Sequence, residues 1–385
     1  ETDLYFFILI PCLNEGKVIY KTVMNLLSLS VPNTMIIAID DGSTDTTPDI
    51  LNCINHPNFR MVSRALPSTQ KGKGMALNDG FEVVIKTVNE LGIDHSRAII
   101  GVLDADTFIK SELLKRVAVI MNKDPKVGMV QSRIKISMCN CLLQSMQDLE
   151  FFTIINRMQN MREYTGTVAA AGNGQFSRLS AMETNNNKPW SDCLLEDFDF
   201  SLRLLLNGWH THLIQDEHTC QQGISRYGKF INQRTRWAQG CIQCISYLND
   251  IIKSKCLSFF GKVEIFSFLM LPWLTLISSV TVMFSWFLII YTYLSKSSVL
   301  PFMLSPYPTA ELISLLVVIL IFVFLPGIYF SISYRRETKV NLYRSLLIGL
   351  FVPIYNILQA PAVLIAFCRQ VVGIRSWVKT DHEND

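Results

Sequence analysis

Long apolar runs in the C-terminal third of the chain limit its fold more than any other feature. VEIFSFLMLPWLTLISSVTVMFSWFLIIYTYL occupies 263–294, and AELISLLVVILIFVFLPGIYFSISY occupies 310–334. Each exceeds the roughly 20 apolar residues with which a helix crosses a bilayer, so both are predicted to span a membrane; a buried helix of a soluble protein is the alternative. A third run, 342–368, carries Pro353 and Pro361, and we expect it to be a broken interfacial or re-entrant element.

Basic residues at the end of the second run indicate the topology. Arg335, Arg336 and Lys339 follow that run directly, and the positive-inside rule places them in the cytoplasm. Two crossings separate them from the first 255 residues, which are therefore expected in the cytoplasm, in a multi-pass protein of the plasma membrane. Because the chain opens at Glu1 almost directly in a strand-like run, with no signal peptide, we expect an N-terminal segment to be missing from this numbering.

Cysteine usage and net charge narrow the class of protein further. The ten cysteines are scattered without a disulfide-like framework, which suits a reducing compartment. CIQC at 241–244 has no second ligand pair and is interpreted as part of a helix, not a zinc site. The net charge of +3 gives no basis for a nucleic-acid partner.

The first half of the chain repeats one local pattern three times. LYFFILIPCLNEG at 4–16, TMIIAIDDGSTDTT at 34–47 and RAIIGVLDADTFI at 97–109 each give a buried strand, a polar loop and a helix start. Buried strands alternating with helices predict a parallel α/β sheet. Ligands bind at the carboxyl ends of strands in such sheets, which is where the aspartates of the second and third segments lie.

Asp104 and Asp106 form the sharpest of these acidic loops. Helix capping explains Ser43 and Asp45, but it does not explain two carboxylates that flank Ala105 directly after a buried strand. A D-x-D loop suits Mg²⁺ or Mn²⁺ that also takes phosphate oxygens.

Two further segments have both an ordinary and a functional interpretation. KGKGMALNDG at 71–80 is a Lys-Gly loop that could meet a phosphate or could be a solvated basic turn. LLEDFDFSLRLLLNGW at 194–209 puts Glu196 and Asp197 at a helix start, where they favour the helix dipole or supply a catalytic carboxylate.

QRTRWAQG, which begins at Gln233, precedes the first apolar run. On a helix Gln233, Arg236 and Trp237 lie at i, i+3 and i+4 and share one face. The arginine can chelate a diphosphate with its planar guanidinium, the tryptophan offers a flat surface to a sugar ring, and the glutamine adds an amide. A basic face at the lipid headgroups is the alternative, and we expect it for Arg226 and Lys229.

Four motifs, in this order and followed by the apolar runs, resemble those of the membrane-embedded family 2 glycosyltransferases. They are DDGSTD at 40–45, DAD at 104–106, LED at 195–197 and QRTRW at 233–237. These include cellulose, chitin and hyaluronan synthases and bacterial capsule synthases. The resemblance covers nearly the whole chain. It implies a GT-A (Rossmann-like) α/β domain followed by transmembrane helices, a nucleotide-sugar donor, a divalent cation and inversion at the anomeric carbon.

The resemblance also assigns roles in donor binding. Asp41, with Asp40, resembles the pair that meets the uridine, and Lys73 or Lys71 resembles the lysine that binds the diphosphate. Arg236 belongs to the same donor site.

The metal and the base follow from the two shorter acidic segments. Asp104 and Asp106 match the D-x-D that binds Mg²⁺ or Mn²⁺, with Asp104 also near the donor. Asp197 matches the last residue of T-E-D, the general base, although Leu195 replaces the threonine. Glu196 is the rival, and we expect its side chain to point away from that of Asp197.

Acceptor and gating residues complete the implied site. AAAGNGQFSR at 169–178 lies where cellulose synthases carry the acceptor-contacting loop, but it lacks the Phe-Phe-Cys-Gly-Ser motif of that loop. GIRSWVKT at 373–380 resembles the cytoplasmic gating segment of such synthases. The predicted acceptor residues are Gly172, Asn173, Gly174, Glu196, Gln233 and Trp237, and the predicted gating residues are Trp377, Lys379 and Thr380.

The sequence therefore predicts a catalytic domain over 1–222, interfacial helices over 223–260, a membrane channel over 261–368 and a cytoplasmic tail over 369–385. The expected partners are a UDP-sugar, a growing polysaccharide and membrane lipids, and the oligomeric state is left open. The LED segment resembles the cellulose-synthase branch more than the hyaluronan-synthase branch, and this resemblance implies UDP-glucose and a β-glucan or capsule polymer, with UDP-N-acetylglucosamine still open.

Two alternatives to a polymer synthase remain. The first is single addition to a lipid carrier, which QRTRW disfavours because single-addition relatives usually lack it. The second is a non-catalytic transporter or receptor, which the intact carboxylate set disfavours.

Overall fold

The computed structural model describes residues 3–137, 139–185, 188–295 and 309–374. The predicted parallel α/β arrangement is present: within these residues one sheet has seven strands in the order β3-β2-β1-β4-β6-β5-β7. The strands are β1 Tyr5–Cys12, β2 Thr34–Asp40, β3 Phe59–Ser63, β4 Ala98–Val102, β5 Val127–Ser137, β6 Gln175–Arg178 and β7 His210–Gln222.

Strands β1 to β4 run parallel, so their carboxyl ends meet at one edge of the sheet. Leu9 of β1 pairs with Val102 of β4, and Cys12 of β1 pairs with Asp40 of β2. The sheet is not wholly parallel, because β6 runs antiparallel between β4 and β5. Strands β5 and β7 are again parallel to each other.

Helices cover both faces of the sheet. Phe6 and Ile8 point to the core under the helices at 19–27 and 111–123, while Phe7 and Leu9 point to the core under the helices at 73–90 and 196–206, as expected for alternating residues of a strand. A π-helical turn, Glu150–Ile155, joins α5 to α6. The helices are α1 Ile19–Leu27, α2 Thr47–Asn52, α3 Lys73–Glu90, α4 Ser111–Lys123, α5 Leu142–Leu149, α6 Asn156–Thr165, α7 Leu179–Met182, α8 Glu196–Leu206, α9 Tyr227–Gln243 and α10 Leu248–Lys253.

Three long apolar helices follow: α11 Phe259–Leu294, α12 Thr309–Thr338 and α13 Leu342–Val372. All three are long and apolar enough to cross a membrane, as predicted for the first two. The prediction that α13 is broken is wrong, because one continuous helix contains both Pro353 and Pro361. A proline removes one backbone hydrogen bond and kinks a helix, and neighbouring helices can compensate for that loss.

Small residues bring α12 and α13 together. A methyl group on Gly327 would overlap the Gly349 carbonyl oxygen, so the two backbones are in direct contact. The Ser345 hydroxyl donates to the Ser331 carbonyl oxygen at 2.6 Å. Small residues of this kind drive helix association in lipid by close packing.

Buried polar pairs attach these helices to the α/β domain. Arg162 of α6 forms a 2.7 Å ion pair with Glu264 of α11, and both side chains are buried. Tyr334 of α12 donates a 2.6 Å hydrogen bond to Asp148 of α5. The apolar helices therefore pack on the α/β domain through specific contacts.

Candidate active site

The acidic loops converge at the carboxyl edge of the sheet. Asp40 ends β2, Asp41 follows it, and both are almost fully buried. Arg64 pairs with Asp41 and donates from Nε to Asp79 at 2.5 Å, while the Gln70 N–H donates to Asp41 at 3.1 Å. Burial raises the pKa of Asp41, opposed by the Gln70 N–H and the Arg64 charge. Asp41 thus holds the loop before α3 through its contacts with Arg64 and Gln70, which the sequence did not predict.

Lys73 is the lysine that lies inside the site. Its ammonium donates to Asp104 Oδ1 at 2.5 Å and to the Gly172 carbonyl oxygen at 2.7 Å. Burial opposes its charge, but the carboxylates of Asp104 and Glu196 keep the pKa of Lys73 above its ordinary value. Lys71 is exposed and does not line the pocket.

The Gly-Asn-Gly loop forms the wall beside Lys73. Gly172 has a φ of +70°, and a side chain there would come within 2.8 Å of Asp197 Oδ2, so only glycine combines this backbone with this approach. A side chain on Gly174 would collide with Ser132 and Thr219.

Asn173 braces the loop from beneath. Its side-chain oxygen accepts from the Thr107 hydroxyl at 3.0 Å and from the Asp104 N–H at 3.3 Å, and its amide donates to Gln221 at 2.7 Å. The Asn173 side chain is buried, and the hydrogen bonds given above join it to other protein groups. Its predicted contact with an acceptor stays a prediction.

Asp104 of the D-x-D loop lines the pocket whereas Asp106 does not, and a divalent cation bound by the two stays a prediction. Asp104 is half-exposed towards the pocket and already faces the Lys73 ammonium, so its oxygen lies where a positive charge is favoured. Asp106 is buried and accepts a 2.8 Å hydrogen bond from the Gln222 N–H, which fixes its orientation. One or two carboxylates, with phosphate oxygens completing the set, is the usual way proteins hold Mg²⁺.

Asp197 lies in the first turn of α8 and lines the same pocket as Lys73 and Asp104. Burial, reinforced by the negative charge of Glu196, raises the pKa of Asp197 to about 7, against the opposing effects of the Phe198 N–H and the charges of Lys73 and Arg236. A carboxylate with this pKa is poised to accept a proton near neutral pH.

The expectation that Glu196 points elsewhere is wrong. Glu196 and Asp197 both line the pocket, and Glu196 is the more buried of the two. In the first turn of a helix neighbouring side chains can both reach the N-terminal end, where the dipole favours negative charge.

Gln233, Arg236 and Trp237 of α9 close the other side of the pocket, on the shared helix face that the sequence predicts. The Gln233 Oε1 and Arg236 Nε atoms are buried and have no hydrogen-bond partner within the described residues. Trp237 packs edge-on against Phe151 with ring centroids 5.9 Å apart. These groups present an unused acceptor, an unused donor and an aromatic surface to a ligand.

Arg234 lies between Gln233 and Arg236 in the sequence and has a structural role that the sequence did not predict. It makes a bidentate ion pair with Glu150 at 2.8 and 2.5 Å, and Tyr355 of α13 donates to the same carboxylate at 2.6 Å. Its guanidinium also lies 4.5 Å from the centre of the Trp237 ring. This network fixes α9, and with it Trp237, relative to the apolar helices.

The loop that carries the acidic pair is held against α9. The Leu194 N–H donates to Gln243 at 2.9 Å, and the thiols of Cys193 and Cys244 lie 3.7 Å apart. Asp199, beside these thiols, is paired with Arg203 at 2.7 Å. We therefore assign this cluster a structural role.

The predicted gating residues Trp377, Lys379 and Thr380 lie outside the described residues. The last described turn nevertheless reaches α9: Gln239 donates to the Ile374 carbonyl oxygen at 2.7 Å, and Arg369 donates to Gln239 at 2.9 Å.

Comparisons with known proteins identify the family of the chain. Residues 4–240 match the family described as Glycosyltransferase like family 2. The chain is 29% identical over 276 residues to the beta-monoglucosyldiacylglycerol synthase of Synechocystis sp., across 69% of this chain and 54% of that protein. It is 26% identical over 392 residues to the poly-beta-1,6-N-acetyl-D-glucosamine synthase of Staphylococcus epidermidis, across 98% of this chain and 87% of that protein.

The chain thus spans about half the length of the cyanobacterial relatives that it matches. Among solved structures, the mannosyltransferase PcManGT from Pyrobaculum calidifontis, in complex with GDP-Man and Mn²⁺, aligns with a TM-score of 0.58 at 14% identity, over 97% of this chain and 91% of that one. At this identity the likeness supports the fold alone.

The family match covers the strands, the acidic loops and α9. Members of this family commonly use a divalent metal. The predicted GT-A fold is confirmed, and the chain belongs to glycosyltransferase family 2, as an enzyme whose catalytic domain is followed by helices able to span a membrane.

Proposed function

We propose that this glycosyltransferase polymerises a sugar from a UDP-sugar donor, with inversion, and passes the product through its own membrane helices. One observation carries the proposal: a single pocket joins a carboxylate poised to take a proton, Asp197, to the Lys73–Asp104 pair and to the Arg236–Trp237 face of α9. An inverting transfer needs these three elements, namely a base, groups that hold a diphosphate and a surface for the acceptor.

Asp197 is the base in this proposal. Its carboxylate takes the proton of the acceptor hydroxyl as that oxygen attacks the anomeric carbon, and the bond from this carbon to the UDP oxygen breaks. General-base catalysis of this kind contributes about 10²–10⁴-fold. Gly172 leaves room beside Asp197 Oδ2 for the reacting hydroxyl.

Positive groups around the leaving diphosphate stabilise its charge. Lys73 and Arg236 both line the pocket, and preorganised charges of this kind act where charge develops. Asp104 and Asp106 would hold Mg²⁺ or Mn²⁺, which neutralises the diphosphate when bound. Asp40 and Asp41 remain the predicted uridine contacts.

A polymer product fits the position of the acceptor face. The helix α9 that carries Trp237 packs on α13 through Arg234, Glu150 and Tyr355. An acceptor held at Trp237 would therefore lie beside the apolar helices. The similarity to a polysaccharide synthase across 98% of this chain supports the same conclusion.

The donor sugar is the least constrained part of the proposal. The acidic LED segment favours UDP-glucose, whereas the name of the staphylococcal relative gives reason to test UDP-N-acetylglucosamine beside it. The proposed cellular location rests on the basic residues at the end of α12: the α/β domain lies in the cytoplasm, at the plasma membrane.

A second candidate function is transfer of one sugar to a membrane lipid. The similarity to beta-monoglucosyldiacylglycerol synthases favours it, although this chain covers only 54% of that relative. The two candidates share the chemistry at Asp197 and differ in the acceptor.

A donor screen followed by product sizing tests the proposal. Purified full-length chain in lipid nanodiscs would be given each UDP-sugar with Mn²⁺ or Mg²⁺, and UDP release would be measured. We expect one donor to dominate and the labelled product to be polydisperse, as a polymer is. A single glycolipid would support the second candidate, and no UDP release with any donor would contradict both.

A further inference from the structure

A second cleft lies on the far side of β5 from the candidate active site. Arg133 lines this cleft, whereas Ile134 lines the active-site pocket, as expected because successive residues of a strand point to opposite faces. The cleft has a volume of about 660 Å³ and lies between α6, β7 and the last turn of α12. We name it the α6–α12 cleft.

The α6–α12 cleft lies at the end of an apolar helix. The candidate membrane span of α12 runs to Thr338, and Glu337 lines the cleft. Arg157 of α6 donates to the Ser333 hydroxyl at 2.6 Å and lies 5.9 Å from the centre of the Tyr329 ring. Tyrosines and basic residues at the end of a span mark the level of the lipid headgroups.

The charge of the cleft is positive. Arg133 and Arg157 line it against the carboxylate of Glu337. The charge of Arg133 is neutralised within the protein, because Arg133 pairs with Glu337 at 2.5 Å and also donates to the Phe152 carbonyl oxygen at 2.8 Å. Arg157 is exposed, and within the described residues it forms no ion pair with a carboxylate. One arginine is therefore available to an anion from outside.

Unused amide groups lie in the same wall. Asn156 is 8% exposed, and the side-chain oxygens of Asn156 and Asn160 are buried with no hydrogen-bond partner in the part of the chain that the structure describes. Native structures rarely leave buried polar atoms without partners. Tyr164, 92% exposed, stands at the rim. A ligand that carries both an anionic group and hydrogen-bond donors would pair with Arg157 and donate to these two side-chain oxygens.

We propose that the α6–α12 cleft binds the headgroup of an anionic phospholipid that carries free hydroxyls, such as phosphatidylglycerol. The phosphate pairs with Arg157, and the headgroup hydroxyls donate to Asn156 and Asn160. The acyl chains lie along the exposed apolar face of α12, whose Tyr329 is half-exposed next to Arg157. Basic pockets beside membrane helices bind anionic headgroups in this way.

Lipid binding can be measured without any sugar donor, so its outcome is independent of the proposed function. Full-length chain in neutral detergent would be titrated with fluorescent phosphatidylglycerol and with phosphatidylcholine, which has the same phosphate but no net charge. We expect phosphatidylglycerol to bind at least tenfold more tightly. Equal affinity for the two lipids would overturn the proposal.

Substitutions locate the site. Arg157→Gln should weaken phosphatidylglycerol binding about tenfold, which corresponds to about 1.4 kcal/mol, and Arg157→Lys should weaken it less because the charge remains. Lys86→Gln, an exposed site on α3 that removes the same charge, should change nothing. Unchanged binding by Arg157→Gln would contradict the assignment. Arg157 is exposed, so all three variants should fold, as checked by their melting temperatures.

Two further arms define the ligand. Asn160→Leu should reduce the preference for phosphatidylglycerol over phosphatidic acid, which lacks the headgroup hydroxyls; an unchanged preference would overturn the role of the amides. Soluble glycerol 3-phosphate should compete only weakly, because it has no acyl chains. Competition at a concentration equal to that of the lipid would show that the cleft binds a soluble phosphate, and would overturn the lipid assignment.

Discussion

Gly240 of α9 lies directly against Leu195, the residue before the acidic pair of α8. A methyl group on Gly240 would overlap the Leu195 backbone nitrogen and lie 2.8 Å from the Leu194 carbonyl carbon. The helix that carries Arg236 and Trp237 is therefore in backbone contact with the loop that positions Asp197. This contact, together with the hydrogen bond from the Leu194 N–H to Gln243, sets the spacing between α9 and the start of α8.

Gly240→Ala should consequently separate α9 from the loop before α8. We expect a loss of about 1–3 kcal/mol of unfolding free energy, the usual cost of overpacking, and a fall in transfer rate larger than this loss alone would cause. Gly228→Ala, in the same helix with open space around it, is the matched control and should be neutral. Melting temperature and UDP release measure the two effects, and equal behaviour of the two variants would contradict the contact.

Asp197→Asn should abolish transfer while leaving the donor site intact. The variant keeps the shape of the side chain but cannot accept the proton, so we expect a loss of about 10²–10⁴-fold. UDP binding with Mn²⁺, measured by calorimetry, should stay close to that of the parent. Transfer at the parental rate by Asp197→Asn would rule out this residue as the base.

The pH dependence of transfer should follow the ionisation of Asp197. The base works as a carboxylate, so kcat/KM should rise as the pH rises through about 7 and then level off. Glu196→Gln should move this rise to lower pH, because the charge of Glu196 raises the pKa of Asp197. Rates of UDP release between pH 5.5 and 8.5 measure the shift, and a shift to higher pH would contradict the assigned coupling.

The same ionisation affects stability in the opposite sense. The folded state holds the Asp197 proton more tightly than the unfolded state, since its pKa is raised from 3.8 to about 7. Its contribution to stability is therefore fully present below about pH 4 and is lost as the pH rises through 7. Asp197→Asn should make the unfolding free energy less dependent on pH across this range, as denaturant titrations would show.

Asp104→Asn and Asp106→Asn should each remove the response to divalent metal. Each variant loses a charged oxygen that would hold Mg²⁺ or Mn²⁺, so the diphosphate charge is left uncompensated. Asp106→Asn keeps an oxygen for the Gln222 N–H and should fold normally. Metal titrations of UDP release test both variants, and near-normal turnover by either would remove it from the metal site.

Trp237→Ala should impair the acceptor more than the donor. The indole supplies aromatic surface with little charge, so we expect the KM for a soluble acceptor oligosaccharide to rise while the UDP affinity changes little. Trp209→Ala, a partly buried tryptophan that packs against the core under α3 and α8, controls for general loss of packing. A collapse of UDP affinity with unchanged elongation would place Trp237 at the donor end.

The sequence carries most of the site because its signals are local. A buried strand followed by aspartates places Asp41 and Asp104 at one sheet edge, and helical spacing places Gln233, Arg236 and Trp237 on one face. The partners of these residues come from distant segments. Arg64 at Asp41 and Glu150 at Arg234 have no pattern of their own, so only the folded chain reveals them.

Two features of the fold could not be predicted from the sequence, because they too depend on contacts between distant segments. Strand β6 has only four residues, too few to show an alternating pattern, and it inserts antiparallel where the sequence predicts a parallel sheet. Helix α13 continues through Pro353 and Pro361 because neighbouring helices support it, and local propensity does not include their contribution.

The Arg234–Glu150–Tyr355 network means that the catalytic and membrane parts of this enzyme are not interchangeable modules. A chimaera that joined this α/β domain to other membrane helices would keep Arg234 and Glu150 but would lose their contact with Tyr355 unless a hydroxyl stood at that position. A buried polar group that loses a hydrogen-bond partner costs about 1–3 kcal/mol. Exchanging the membrane helices of this glycosyltransferase therefore requires that Arg234, Glu150 and Tyr355 be kept as one set.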